Sequence, residues 1–146
     1  MRTIRIYLAG GMGKFGKDNF EESNKWRTYC KYILEKFEGN YRAEVINPNS
    51  YYNFVDNPRR YVSEKEIMEF DINKVRSSDL IICNFNDPKS LGTMAEIAIA
   101  YERRTPVIGL NEDYNEQLHP WEVGFCTRIF DNIDEMLDYV EDFYLT

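Results

Sequence analysis

Two residues have surroundings that suit chemistry better than structure, Glu96 and Asp71. Glu96 lies in Thr93–Tyr101, where Met94, Ala95, Ile97, Ala98, Ile99, Ala100 and Tyr101 leave it the one charged side chain. A helix apolar on almost every side is a buried helix, so a carboxylate in its first turn belongs at or near the interior. Asp71 stands between Ile67 and Val75 at four-residue steps, with Met68 and Ile72 alongside. An acid within or beside such a stripe needs a partner. Each has a plainer reading. Thr93-Met94-Ala95-Glu96 fits a capping box, with the Glu reaching back to the N-cap amide, and Asp71 also reads as a solvated residue at the stripe's margin. The helix dipole keeps a first-turn carboxylate ionised under either reading. Two carboxylates facing one cleft suit cleavage of a glycosidic bond. One attacks or stabilises the anomeric carbon and the other handles the leaving group's proton.

The elements that must position them alternate. Strands are expected at Thr3–Ala9, Ala43–Asn47, Asp79–Phe85, Pro106–Leu110 and Thr127–Phe130. Short apolar runs such as Leu80-Ile81-Ile82-Cys83 fill the middle of parallel sheets. Helices are expected at Asp18–Phe37, stopped by Gly39, from Ser63 to about Arg76, at Thr93–Tyr101 and at Asn132–Tyr144. Ser63-Glu64-Lys65-Glu66 is a capping-box start for the second of these. Pro48–Tyr61 and Asn111–Glu122 read as loops, the first long and aromatic enough to act as a lid or binding loop. Alternation of this kind gives an α/β fold, a doubly wound parallel five-stranded sheet with helices on both faces and right-handed crossovers. The expected order is 2-1-3-4-5, with residues 1–146 forming a single domain.

In that order strands 1 and 3 meet at the switch point, and ligands bind beyond their C-terminal ends. Three features collect there: the Gly10–Gly16 cluster after the first strand, the Ser90-Leu91-Gly92-Thr93 loop with Glu96, and the helix that carries Asp71. The glycine cluster lets the backbone turn tightly and a ligand approach closely. It lacks the Gly-Lys-Ser/Thr ending of a Walker A loop and is no clean GxGxxG, so by itself it is weak evidence.

Ile6-Tyr7-Leu8-Ala9-Gly10-Gly11, Asp71 on a helix, Asp79-Leu80 opening a strand and Ser90-Leu91-Gly92-Thr93-Met94-Ala95-Glu96 together resemble the nucleoside 2-deoxyribosyltransferase superfamily, over roughly residues 3–111. The resemblance implies a flavodoxin-like sheet and cleavage of the N-glycosidic bond of (deoxy)nucleosides or their monophosphates. It implies Glu96 as a nucleophile forming a glycosyl-enzyme intermediate, Asp71 assisting at the base or sugar, and Tyr7 orienting the nucleophile. It also implies paired subunits, as a homodimer or higher homo-oligomer, with the neighbour completing each site. Transferases of free nucleosides usually carry Asp-Ser-Gly-Thr before this helix. The Ser-Leu-Gly here resembles instead the 2'-deoxynucleoside 5'-monophosphate N-hydrolase branch, in which the serine contacts the 5'-phosphate. Thr93 stands where that branch often has another small residue. Gly10, Gly11, Ser90, Gly92 and Thr93 are therefore the expected substrate contacts. A serine hydroxyl and loop amides can donate to a phosphate that an aspartate would repel. Lys14, Lys17 and Lys89 are further candidate donors.

Composition narrows the alternatives. A formal net charge of -7 argues against binding of nucleic-acid polymers. No apolar run approaches the ~20 residues needed to span a bilayer. Cys30, Cys83 and Cys126 form no CxxC or Cys/His cluster and read as reduced core residues of a cytoplasmic protein. The lone His119 cannot build a zinc site, and neither a metal nor a cofactor is implied. Three functions stay open: an N-glycosidase acting on nucleoside 5'-monophosphates, a deoxyribosyltransferase moving the sugar between bases, and a nucleotide-binding module in which Glu96 is only a cap.

Overall fold

A computed structural model describes residues 2–11, 16–51, 63–113 and 117–146, with side chains of the first helix described from residue 21 onward. Met12–Phe15, and with them Lys14, lie outside the described residues. So do residues 52–62, most of the expected binding loop, and the side chain of Lys17.

Five parallel strands form one sheet in the order β2-β1-β3-β4-β5. They are β1 (Arg2–Gly10), β2 (Tyr41–Ile46), β3 (Leu80–Asn84), β4 (Val107–Leu110) and β5 (Arg128–Phe130). The fold is the expected flavodoxin-like α/β architecture. β3 is buried along its whole length, as an apolar run flanked on both sides by strands and on both faces by helices must be. The register pairs Tyr7 with Ile81 and Gly10 with Asn84, so the end of β1 projects at the same edge as the end of β3.

Two apolar layers sandwich the sheet. On one face Trp26, Cys30 and Leu34 of α1 (Gly16–Lys36) pack with Met136, Leu137 and Val140 of α5 (Ile133–Val140) against Ile6, Leu8, Leu80 and Ile82. On the other, Val75 of α2 (Glu64–Arg76) and Ile97 and Ala100 of α3 (Leu91–Glu102) cover Tyr7, Ala9, Ile81 and Cys83. Cys30, Cys83 and Cys126 are all free thiols. The first two are buried and Cys126 is half-buried. Burial pushes the thiols of Cys30 and Cys126 up to about 12, so all three stay protonated.

Four local expectations are corrected. The Asn111–Glu122 segment is not loop throughout, because α4 (Pro120–Phe125) starts within it. His119 Nδ1 accepts from the Trp121 amide at 3.1 Å, and Glu122 Oε1 accepts from the His119 amide at 2.8 Å. This is a capping box with proline at the first helical position. α1 ends at Lys36, before Gly39. Gly39 is glycine for another reason: a Cβ there would run into the Leu145 carbonyl oxygen. The last helix is α-helical only to Val140 and continues as a π-helical turn, Glu141–Leu145.

The fourth correction concerns α3, which starts at Leu91 rather than Thr93. Its N-cap is Ser90, whose Oγ accepts from the Thr93 amide at 3.3 Å. Glu96 is thus one turn inside the helix, too far along to cap it. The helix is also less buried than its composition implied. Thr93, Ile97 and Ala100 are buried, but Leu91 is 86% exposed and Tyr101 57%.

Candidate active site

At the C-terminal edge of β1, between α2 and α3, lies a cleft of about 110 Å³ lined by Tyr7, Leu8, Gly10, Arg27, Pro48, Asp71, Ser90, Gly92, Thr93 and Glu96. Seven of the eight residues expected from sequence line it. Gly11 does not: its amide donates to Asn86 Oδ1 at 2.9 Å, and a Cβ there would stand 2.9 Å from Asp87 Cβ. It is glycine because a neighbouring loop packs on it. Gly10 is crowded too, with Trp26 Cζ2 at 2.9 Å and the Asn84 carbonyl oxygen at 3.1 Å from a Cβ built on it. The glycine turn is thus packed from the protein side as well as open to a ligand.

Larger hollows lie elsewhere. One of about 590 Å³, lined by Tyr101, Arg104, Thr105, Phe125 and Thr127 among others, sits at the N-terminal ends of β4 and β5. That is the wrong edge of the sheet for an open α/β site.

Tyr7 is buried in the middle of the sheet and hydrogen-bonds to the Glu96 carboxylate. The other Glu96 oxygen, Oε2, is buried and has no hydrogen-bond partner among the described residues. A buried carboxylate oxygen left in this way costs stability. Burial pushes the Glu96 carboxyl up to about 7. The hydrogen bond from Tyr7 acts in the opposite sense, the like charge of Asp71 adds to the rise, and Arg27 opposes it. The helix dipole therefore does not hold Glu96 fully ionised: the residue lies a turn beyond the end where the dipole acts, and desolvation dominates.

At the mouth, Ser90 Oγ accepts from the Thr93 amide and, at 2.9 Å, from Thr93 Oγ1. With both contacts as acceptor, its own proton remains to donate outward. The amides of Leu91 and Gly92 are the first two of α3 and have no intrahelical acceptor. Nothing lies within 4 Å of a Cβ built on Gly92, so the protein itself does not require glycine there. Gly92→Ala is accordingly expected to leave stability unchanged or to raise it by about 0.5–1 kcal/mol, from the lower entropy of the unfolded backbone. If a ligand approaches that backbone closely, KM rises while stability does not fall. Thermal melts and steady-state kinetics on the one variant check both.

Arg27 was not anticipated. It is completely buried, and its guanidinium donates to the carbonyls of Gly10 (2.8 Å), Ser23 (2.9 Å), Gly11 (3.4 Å) and Leu8 (3.5 Å). The sequence held a signal for it. Ser23, Arg27, Cys30 and Leu34 recur at i, i+4, i+7 and i+11, which puts an arginine in an apolar stripe, the argument already applied to Asp71. Among the described residues no group of three or more His, Cys, Asp or Glu could hold a metal ion, and no helix is long and apolar enough to cross a membrane.

A five-stranded parallel sheet with a carboxylate-bearing cleft at its switch point defines the class as a flavodoxin-like α/β fold. The family model for nucleoside 2-deoxyribosyltransferases matches residues 6–137. The chain belongs to that family and is an enzyme of it. Solved structures with a similar fold include a conserved protein from Enterococcus faecalis (TM-score 0.74, 18% identity, 96% of this chain and 98% of that one). A 2-deoxyribosyltransferase from Bacillus psychrosaccharolyticus is also similar (0.68, 13%, 92% and 91%). A third is the CMP N-glycosidase BcmB of Clostridium botulinum (0.60, 22%, 97% and 99%). No curated protein matches the chain.

Proposed function

We propose that the protein cleaves the N-glycosidic bond of (deoxy)nucleoside 5'-monophosphates, with Glu96 as nucleophile and water as acceptor, giving free base and sugar phosphate. The observation that carries this reading is the state of the Glu96 carboxylate. One oxygen is steered by Tyr7, and the other is buried and unpartnered in a residue that lines the cleft. A capping or core glutamate has no reason to be left so.

In the first step a Glu96 oxygen bonds to C1' as the C1'–N bond breaks and its electron pair leaves with the base. Asp71, which lines the same cleft, handles the proton that the base takes up or acts at the sugar. Water then attacks C1', the ester bond to Glu96 breaks, and the carboxylate is restored. Tyr7 orients the nucleophile. The cleft is smaller than the ~300–1,000 Å³ of typical small-molecule sites, in keeping with walls that grip the pentose while base and phosphate extend beyond them. The Ser90 hydroxyl, the Leu91 and Gly92 amides and the start of α3 suit a 5'-phosphate. An N-glycosidase acting on CMP shares the fold.

The family's own activity favours a second reading, deoxyribosyl transfer to another base, which shares the first step. Incubation with nucleosides and nucleoside 5'-monophosphates, with and without a free acceptor base, separates the two. Free base released only from monophosphates supports hydrolysis with a phosphate requirement. A new nucleoside appearing with the added base supports transfer. No base from any substrate would leave a nucleotide-binding module.

Pairing of subunits belongs to the same reading. Leu91, exposed beside the cleft-lining Ser90 and Gly92, offers an apolar side chain for contact with a second copy. Leu91→Lys is expected to shift a dimer toward monomer in sedimentation experiments and to lower base release with it.

A further inference from the structure

We infer that Asn86 is a positioning residue for this site: its side-chain oxygen fastens the β3–α3 loop to the glycine turn after β1 and so sets the span between pentose and 5'-phosphate. The inference rests on the reading above, with the pentose in the cleft and the phosphate at the start of α3. Two walls of the cleft come from separate parts of the chain. Tyr7, Leu8 and Gly10 belong to β1, and Ser90, Gly92 and Thr93 to the loop and helix that follow β3. In a nucleotide the sugar ring and the phosphate are joined through C5' and a single oxygen. The two walls must therefore keep a fixed separation to hold both.

The register of the sheet fixes that separation only as far as Gly10, which pairs with Asn84. Beyond it both segments leave the sheet. Gly11 is buried, so its amide needs an acceptor, and it takes Asn86 Oδ1 at 2.9 Å. An N–H can only donate, which holds the carboxamide with its oxygen toward the turn. The two segments meet without spare room: a Cβ built on Gly11 would stand 2.9 Å from Asp87 Cβ and 3.1 Å from Asn86 Oδ1. From there the loop is tightly turned. The Asp87 carbonyl accepts from the Ser90 amide at 3.0 Å, and Asp87 Oδ1 accepts from the Lys89 amide at 3.3 Å. Such a turn closes directly on the residue that caps α3. Asn86 thus holds one end of a short strut, and Ser90 with the Leu91 and Gly92 amides stands at the other. Asn86 is itself exposed and lies outside the cleft lining, so it acts on a substrate through the loop.

The test follows Asn86→Ala, Asn86→Asp and Gly11→Ala by steady-state kinetics on nucleoside 5'-monophosphates, thermal melts and ¹H–¹⁵N spectra. Asn86→Ala is expected to raise KM by about ten- to a hundredfold while kcat stays within about threefold of wild type, because the grip on the phosphate is lost alike in ground and transition states. The amide resonances of Ser90, Leu91 and Gly92 move in the same variant, and more inorganic phosphate is needed to shift them. Asn86→Asp keeps an oxygen at the same reach and brings both KM and those resonances back toward wild type. Gly11→Ala forces the same two segments apart from the other side and raises KM as well. The double variant Asn86→Ala/Gly11→Ala is then little worse than the poorer single one, because both act on one contact. An asparagine with a purely structural role gives lower melting temperatures with KM and the Ser90–Gly92 resonances unmoved, and that result overturns the proposal. So does an Asn86→Asp variant whose resonances are displaced as far as those of Asn86→Ala. The spectra are read without turnover. A wild type that releases no base therefore ends the functional reading, while the Ser90–Gly92 resonances of Asn86→Ala still decide the role of Asn86.

Discussion

Glu96→Gln is expected to abolish base release, by roughly a thousandfold or more, and at the same time to make the protein more stable above neutral pH. The loss follows from removing the atom that bonds to C1'. Intact-mass measurements that show a sugar adduct on the wild type during turnover should show none on the variant. The gain follows from linkage. The folded-state carboxyl sits at about 7 against an ordinary value of 4.5, so the folded protein binds the Glu96 proton more tightly than the unfolded chain. Below pH 4.5 both states hold the proton and Glu96 costs nothing. As pH rises through 7 the folded state must carry a poorly solvated charge, and stability falls by roughly 3 kcal/mol. Glutamine carries no such charge and can still accept from Tyr7. Denaturant melts of the two proteins should therefore coincide below pH 4.5 and separate above pH 7, with the variant the more stable. A glutamate that served only as a cap would give no such separation, since glutamine fills that position of a capping box as well. The same shift governs activity: with an ionised nucleophile required, wild-type kcat/KM is expected to climb through about pH 7.

Asp71→Asn is expected to lower the plateau rate by about 10²–10⁴ while moving the acid limb of the pH profile downward. The two effects have separate causes. The plateau falls because the group that handles the proton or steadies the sugar is gone. The limb moves because a like charge no longer opposes ionisation of Glu96. The acid limb of kcat/KM for Asp71→Asn should therefore lie at lower pH than that of the wild type. An Asp71→Asn profile that overlays the wild type in rate and limb would return Asp71 to the margin of its stripe as a solvated residue.

The errors along the chain have a common form. Gly92 read as the end of a loop, because glycine in an element interior is disfavoured. The structure instead puts it second in α3, behind the Ser90 cap. That two-residue difference carried Glu96 out of the first turn and away from the dipole that seemed to keep it charged. α4 does not stand out in the sequence although His119, Pro120 and Glu122 form its start, because a six-residue helix shows too little periodicity. Gly11 reads from sequence as a ligand contact, yet its amide and the space beside its Cα belong to Asn86 and Asp87. Local patterns name residues that have a special need, but they do not say whether a ligand or another loop meets it.

The sequence by itself determined the strand order, the side of the sheet on which the cleft opens, and the two carboxylates, because alternating apolar runs and misplaced acids are local signals with few structural solutions. The tertiary structure alone decided how those acids are held. The hydrogen bond from Tyr7 to Glu96 and the buried Arg27 gathering carbonyls from β1 join residues 17 to 89 positions apart in the chain, and they leave Oε2 of Glu96 without a partner among the described residues. The ionisation of a carboxyl depends on how much water is excluded from it and which charges face it. Those quantities exist only once β1, α1, α2 and α3 have closed around the same few ångströms.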